Sequence, residues 1–464
     1  MKNKRPRQSP REPAREQHVI EGEILPFDLG QDGLTVRAGS HRMELPSGVP
    51  GDRVRVRSTM RGPVVDRLLE PSPLRVIPAC PLLDSCGGCS LQAMSYPGQV
   101  AAKTEALRRT LVDLGSTVEL PDVDRLTRAY GYRTKLLMAT GGHTGALRLG
   151  FYRRGSMALV PAEGCPVQHS ASLATLASVR QVLDAYNVSP TASEARPGDR
   201  RPPPRDEGWL HAVGIRVDPR GGEVELTLSG ATDRLPGGKA MALQLGCLPG
   251  VSGVHLSVNP QRTSYPMEGQ TRVLTGRPHT AFNLDRLRVL LSPGTFFQTS
   301  AEGSELLLKR VAGLMPERFE LLVDLYAGAG LLALGTRERF QRVVTLEANR
   351  VAVEDLRRYV KHAQLSGFTV LEGRVEQRID EVLGREPADV VLLDPPRRGC
   401  VPTVTEAVLR HQPKIVMLVS CGFEALVAQA RQLLDGGYHI TGVAAVDMFP
   451  HTSQLEVVLR FALA

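Results

Sequence analysis

The stretch LLVDLYAGAG, residues 321–330, decides the fold, because an apolar run there ends in a glycine-rich turn. Three later runs also end in an acid, a proline or a glycine: VVTLEAN (343–349), DVVLLDPP (389–396) and IVMLVSCG (415–422). Helical patterns lie between these runs, and such alternation is typical of a parallel sheet covered on both faces. The sequence therefore predicts a C-terminal doubly wound α/β (Rossmann-like) domain over residues 286–464.

The turn after the first strand predicts a cofactor site, because ligands of such sheets bind beyond the carboxyl ends of the strands. Gly328 and Gly330 would let a ligand approach the backbone, and Glu347 follows about 20 residues later, the usual offset for an acid that holds ribose hydroxyls. An adenosine-containing cofactor is expected. The run GAGLLA also fits the dinucleotide fingerprint, so a nicotinamide dehydrogenase and an S-adenosylmethionine enzyme both stay open.

A thiol and a carboxylate near the C-terminus indicate covalent chemistry. Cys421 ends the apolar run 415–420, where a cysteine is usually a core residue. Glu456, however, lies inside the apolar stretch LEVVLRF (455–461), where a carboxylate is costly without a function. Together they suggest nucleophilic catalysis followed by proton removal.

Composition limits the alternatives for the whole chain. Its 464 residues carry 57 Lys and Arg against 49 Asp and Glu, a formal charge of +8 that permits an anionic partner such as RNA without requiring one. No apolar run reaches the ~18 residues of a membrane span. The basic segment 1–15 lacks the apolar region of a signal peptide and is expected to be a disordered tail. We expect a cytoplasmic monomer with no membrane association.

The region before the α/β domain divides into two parts. Short strand-like pieces over residues 16–72 predict an OB-like β-barrel, in which alternation places Arg53, Arg55 and Arg57 on one face. Such a face is usually only solvated, but on a barrel of this kind it also binds RNA. Residues 73–285 predict an α+β middle domain with a flexible insertion at 187–208.

Three cysteines crowd together at Cys80, Cys86 and Cys89. In a reducing compartment this clustering indicates a metal or iron–sulfur site rather than disulfides. A helix is expected directly after them, over residues 96–114, from its apolar spacing.

Several of these stretches together resemble the RNA uracil-5-methyltransferase family, in particular its iron–sulfur branch that acts on 23S ribosomal RNA. The stretches are DLYAGAG (324–330), DPPRRG (394–399), VSC (419–421), DMFPHTSQLE (447–456), SPGTFFQTS (292–300) and CPLLDSCGGCSLQ (80–92). The resemblance covers nearly the whole chain apart from the tail and the insertion. Residues 16–72 resemble the TRAM domain, an RNA-binding module of that family.

The resemblance implies a role for each matching residue. Cys421 would add to C6 of uracil, and Glu456 would remove the C5 proton after transfer of a methyl group from S-adenosylmethionine. Phe296 would lie near the target base. The residues expected to contact the cofactor are Gln298, Tyr326, Gly328, Gly330, Glu347 and Asp394. The residues expected to hold a structural [4Fe-4S] cluster are Cys80, Cys86, Cys89 and Cys165, a thiolate set that by chemistry alone would also suit zinc.

The chain departs from the family pattern close to these residues. Gly422 and Phe423 replace a common Asn-Pro pair, Gln454 replaces a His, and Leu331 replaces a polar residue. Gly422, Phe423 and Gln454 motivate a rival hypothesis, a catalytically silent RNA-binding homologue. A transfer-RNA uridine-5-methyltransferase is a third hypothesis.

Overall fold

The computed structural model describes residues 19–31, 33–59, 62–190, 208–260, 267 and 269–463. The expected tail at 1–15 lies outside these residues, as does most of the expected insertion at 187–208.

The N-terminal part of the described chain is an antiparallel sheet of the order β3-β2-β1-β4-β5. β3 also contacts β5, so the sheet curls toward a half-barrel around apolar side chains such as Ile24, Val36 and Val54. The strands are β1 (Val19–Ile24), β2 (Leu34–Ala38), β3 (His41–Leu45), β4 (Arg53–Thr59) and β5 (Gly62–Glu70).

The alternation predicted for β4 is confirmed, with its valines buried and its arginines facing outward. Each of these arginines lies next to a carboxylate. The ion pairs are Arg53–Glu70, Arg55–Glu21 at 2.6 Å and Arg57–Asp66 at 3.5 Å. The charge of this face is therefore locally balanced, which favours a solvated face over a phosphate-binding one.

The helix expected after the cysteines is present as α1 (Tyr96–Asp113), which begins with a proline in its first turn. Its apolar side chains Ala106, Leu107 and Leu111 pack into the core of the C-terminal domain. The short strand β6 (Asp124–Arg125) then pairs with the edge of the C-terminal sheet. The segment after the cysteines is thus part of the C-terminal domain's structure.

The middle region is a mixed sheet of order β13-β12-β11-β10-β7-β8-β9, with α2 and α3 on one face. Its strands are β7 (Lys135–His143), β8 (Ala146–Tyr152), β9 (Leu159–Pro161), β10 (Leu210–Val217), β11 (Val224–Gly230), β12 (Val251–Val258) and β13 (Gln270–Gly276), and its helices are α2 (Ser170–Ala185) and α3 (Gly238–Gly246). A hairpin of β14 (Thr280–Asn283) and β15 (Arg288–Leu291) follows. The domain boundary expected at 285/286 falls in its turn.

The C-terminal domain has the predicted doubly wound α/β architecture, with sheet order β18-β17-β16-β19-β20-β22-β21-β6. Its strands are β16 (Phe319–Leu325), β17 (Phe340–Glu347), β18 (Phe368–Glu372), β19 (Val390–Leu393), β20 (Ile415–Ser420), β21 (Tyr438–Asp447) and β22 (Glu456–Leu463). Its helices are α4 (Ala301–Leu314), α5 (Leu331–Thr336), α6 (Arg350–His362), α7 (Val375–Gly384), α8 (Pro402–His411) and α9 (Phe423–Asp435).

The direction of the strands determines where the site lies. β16 to β20 run parallel, so their carboxyl ends meet at one edge of the sheet. β22 runs antiparallel to β20, and its first residue therefore lies at that same edge. In the part of the chain that the structure describes, we find no helix long and apolar enough to cross a bilayer.

Candidate active site

The predicted nucleophile and base lie side by side on neighbouring strands. Ser420 of β20 pairs with Val457 of β22, so the next position along each strand brings Cys421 opposite Glu456. Glu456 is buried and Cys421 is half-buried, and the two side chains interact electrostatically. Residues 35 positions apart in sequence thus form one thiol–carboxylate pair because β22 is antiparallel.

Arg397 interacts with this thiol–carboxylate pair, and the sequence alone assigned it no role. Burial and the Glu456 carboxylate raise the pKa of the Cys421 thiol to about 11. The Arg397 guanidinium opposes this shift, since it donates a hydrogen bond to the thiol sulfur and favours the thiolate. The position was within the quoted DPPRRG stretch, but nothing in the sequence showed that it would reach Cys421.

The carboxylates of the site raise one another's pKa. Burial and the nearby Asp394 hold the pKa of Glu456 well above its ordinary value. The pKa of Asp394 is itself raised to about 7 by burial. Asp324, inside β16, has its pKa raised by burial and by Asp394 and Glu347. Four acids therefore gather at this edge, with Asp324 unassigned by the sequence analysis.

The glycine turn after β16 has the shape that the sequence predicted. Gly328 and Gly330 have φ of +55° and +79°, in the left-handed region that favours glycine. Glu347 accepts hydrogen bonds from the Gly328 N–H at 2.8 Å and the Asn349 N–H at 2.6 Å. Its carboxylate thus links the turn to the start of α6. A β-carbon placed at Gly328 would meet no atom within 4 Å, so the space beside this glycine is open.

Tyr326 precedes this turn in a conformation that is unusual for a tyrosine. Its φ is +65°, and its hydroxyl donates a hydrogen bond to Glu376 at 3.3 Å. Burial, together with Cys400 and Glu376, raises the pKa of the phenol. A non-glycine residue with a positive φ, next to a glycine turn at the end of a parallel strand, is typical of a functional position.

Phe296 lies on a loop that both domains hold in place. The Arg216 guanidinium donates a hydrogen bond to the Thr295 carbonyl at 2.9 Å, and the Thr295 hydroxyl donates one to Asp355 at 2.7 Å. Phe296 itself is 62% exposed, with the Lys135 ammonium 5.5 Å from its ring centroid. Gln298, two residues later, is half-buried. An exposed aromatic ring on a fixed loop is suited to stack on a base.

Three of the departures from the family pattern have packing explanations. A β-carbon at Gly422 would lie 2.1 Å from the Arg397 carbonyl oxygen, so only glycine fits there. Phe423 begins α9 and packs, partly buried, against the apolar core of the C-terminal domain. Leu331 is buried in an apolar cluster. The structure offers no comparable reason for Gln454.

The four cysteines expected to bind a cluster lie within electrostatic range of one another. Burial first, and then Cys165, Cys86 and Cys80, raise the pKa of Cys89 to about 12. All four are free thiols. Among the described residues, however, no three His, Cys, Asp or Glu side chains converge where one metal ion could be held.

Comparisons with known proteins agree with this architecture. Residues 314–413 match the family model described as "Conserved hypothetical protein 95". The solved Pyrococcus abyssi tRNA (uracil-54, C5)-methyltransferase, a complex with S-adenosyl-L-homocysteine, superposes with a TM-score of 0.73 over 96% of this chain and 100% of that chain, at 23% identity. The chain therefore shares the fold of that solved structure.

Two relatives identify the family. An uncharacterized RNA methyltransferase of Nostoc sp. is 33% identical over 95% of this chain and 96% of its own length. Another, of Synechocystis sp., is 32% identical over 90% of each protein. The chain belongs to this family of RNA methyltransferases.

Proposed function

We propose that this protein transfers a methyl group from S-adenosylmethionine to C5 of a uridine in RNA, and that its substrate is 23S ribosomal RNA. The single observation that carries this proposal is the placement of Cys421 opposite Glu456 across β20 and β22. Methylation at a carbon that is a poor nucleophile needs both a group that adds to the ring and a base that removes a proton.

In the proposed reaction, Cys421 loses its proton to water with help from Arg397, and its sulfur bonds to C6 of uracil. The ring electrons move to C5, which then forms a bond to the methyl group as the bond from that methyl to the sulfonium sulfur breaks, and S-adenosylhomocysteine is the leaving group. Glu456 takes the C5 proton as the sulfur–C6 bond breaks, and it returns a proton to the thiolate. One proton is released overall. The uridine must leave its base stack to reach the site, where the exposed Phe296 ring would contact it.

The acids at the strand ends favour a positively charged cofactor. S-adenosylmethionine supplies an electrophilic methyl group on a sulfonium cation. Asp324 and Asp394, whose pKa values are raised in the protein alone, would be ionised by such a cation. A nicotinamide dinucleotide would instead bring an anionic pyrophosphate toward these carboxylates, which argues against the dehydrogenase alternative. Glu347 would accept hydrogen bonds from ribose hydroxyls.

We also propose that Cys80, Cys86, Cys89 and Cys165 hold a [4Fe-4S] cluster. Their thiols interact electrostatically. Zinc needs four sulfurs at about 2.3 Å from one centre. A cluster binds each thiolate at a different iron, so its ligands lie further apart. The five residues between Cys80 and Cys86 are a wide spacing for a zinc knuckle, which favours the cluster over zinc.

The silent-homologue hypothesis loses most of its support. Gly422 is required by the close approach of the Arg397 backbone, and Leu331 fills an apolar core. These substitutions are local packing solutions that leave Cys421, Glu456 and Arg397 within electrostatic range of one another. The cytoplasmic location and the monomeric state stay predictions.

The experiment is methyl transfer from radiolabelled S-adenosylmethionine to unmodified ribosomal RNA and transfer RNA in separate reactions. Anaerobically prepared wild type is compared with Cys421→Ala and with Cys247→Ala. The second variant is the matched control, because Cys247 is an exposed cysteine at the end of α3. We expect labelled 5-methyluridine in ribosomal RNA, lost only with Cys421. Label in transfer RNA alone would favour the third hypothesis, and no label in either would favour the silent RNA-binding homologue.

A further inference from the structure

The loop between β21 and β22 holds Glu456 at one end and is fastened to α1. We name residues 447–453 the strap. Gln99 of α1 is fully buried beneath it. The Gln99 side-chain oxygen accepts the His451 N–H at 2.7 Å, and its amide nitrogen lies 3.1 Å from His451 Nδ1. The same amide donates to the carbonyls of Leu91 and Met94 at 3.1 and 2.8 Å.

A second fastening lies one helical turn further along α1. The Lys103 ammonium donates hydrogen bonds to Asp447 at 2.7 Å and to the Phe449 carbonyl at 3.1 Å. Both charged side chains of this ion pair are completely buried. Asp447 follows Val446, whose backbone pairs with Glu456, so Lys103 fixes the strand end directly beside the base.

The backbone of the strap is strained at His451, the residue that Gln99 contacts. His451 has φ of +70°, and its carbonyl accepts the N–H groups of Ser90 and Leu91, each at 3.0 Å. The Tyr130 ring lies 4.4 Å from the His451 ring. A non-glycine residue stays in this conformation only when its surroundings determine it, and such strain is concentrated at functional sites.

We propose that Gln99 and Lys103 are positioning residues for Glu456. By holding the strap at Asp447, Phe449 and His451, they set where the carboxylate lies relative to Cys421 and thus control the proton-removal step. The proposal rests on the proposed function, in which Glu456 is the base. It also gives a task to two polar side chains that would otherwise weaken the buried face of α1.

The test separates the two halves of the reaction. Gln99→Met keeps the size of the side chain and removes its hydrogen bonds. We expect the covalent protein–RNA adduct to be resolved on the order of 100-fold more slowly, so that it accumulates, while cofactor and RNA affinities stay near wild type. Leu107→Ala is the matched control, because it weakens the same helix without touching the strap. It should lower thermal stability without accumulation of adduct.

Two reference proteins, Glu456→Gln and wild type, test the proposed function separately from the positioning role. Glu456→Gln must accumulate adduct and wild type must release 5-methyluridine; if either fails, the proposed function itself is wrong. If both behave as expected but Gln99→Met resembles Leu107→Ala, only the positioning role is overturned. Should Gln99→Met not fold, the double variant Lys103→Met, Asp447→Asn removes the other fastening without leaving a lone buried charge. It must then accumulate adduct for the proposal to survive.

Discussion

The carbonyl oxygen of Arg397 lies so close to Gly422 that a β-carbon at position 422 would be 2.1 Å from it. The loop after β19 therefore lies directly on the first residue after Cys421. This contact brings the Arg397 guanidinium to the thiol, so a glycine that departs from the family pattern belongs to the arrangement of the site.

Gly422→Ala should be more damaging than its size suggests. The added methyl group meets backbone, which cannot move aside as a side chain can, so we expect about 1–3 kcal/mol of destabilisation. Methyl transfer should fall as well, because the Arg397 loop must retreat from Cys421. Gly313→Ala in α4, where a β-carbon meets nothing within 4 Å, is the control and should be neutral or stabilising. Denaturation curves and single-turnover rates measure both effects.

Arg397→Met should shift the pH dependence of methyl transfer to higher pH. The thiol pKa of about 11 already includes the lowering by Arg397, so removing the cation raises that pKa and leaves less thiolate at neutral pH. A hydrogen bond to a charged group is worth about 1.5–3 kcal/mol, which predicts a loss of about 10- to 100-fold in kcat/KM at pH 8. The deficit should shrink as the pH rises.

The neighbouring exposed Arg398 provides the control for this change. Arg398→Met removes one positive charge from the same loop. It should leave the pH dependence of methyl transfer unchanged. Equal losses in both variants would mean that Arg397 acts only through the overall charge of the site.

Asp394→Asn should stabilise the protein without ligand while weakening cofactor binding. The pKa of this carboxyl is raised from 3.8 to about 7 in the fold. A carboxyl with a raised pKa costs stability as pH rises above its unfolded value, fully so above the folded value. At pH 8 the variant should therefore melt several degrees above wild type. At pH 4 we expect the difference to vanish, and calorimetry at both pH values measures it.

Cys89→Ser should abolish cluster binding. Anaerobic preparations of wild type should contain about four irons and matching sulfide per chain, with broad visible absorption that the variant lacks. Cys247→Ser, at an exposed thiol, should keep the iron. Zinc in place of iron in the wild type would contradict the cluster assignment.

Prediction from sequence succeeded where the signal was local. The strands that end at Leu325, Glu347 and Leu393 each had an apolar run followed by a turn, and α1 had helical spacing, so their existence followed from periodicity. The direction of β22 could not be predicted in this way, because strand direction has no local sequence signal. It is nevertheless the feature that places Glu456 beside Cys421.

The contacts of single polar side chains were also beyond prediction. Gln99 and Lys103 interrupt the apolar face of a helix, and the sequence alone would place such residues in solvent. Their partners are 352 and 344 residues away in the chain. Only the packing of α1 against the C-terminal sheet identifies them as buried.

That separation has a consequence for how the chain folds during synthesis. At about 5–20 residues per second, the ribosome needs on the order of 20–70 s to extend from α1 to the segment that satisfies it. Until then α1 has neither its apolar partners nor an acceptor for the buried Lys103 ammonium, so this helix cannot complete its packing. We expect nascent chains released before His451 to be bound by chaperones or degraded, because synthesis of the strap is the step that lets α1 adopt its native packing.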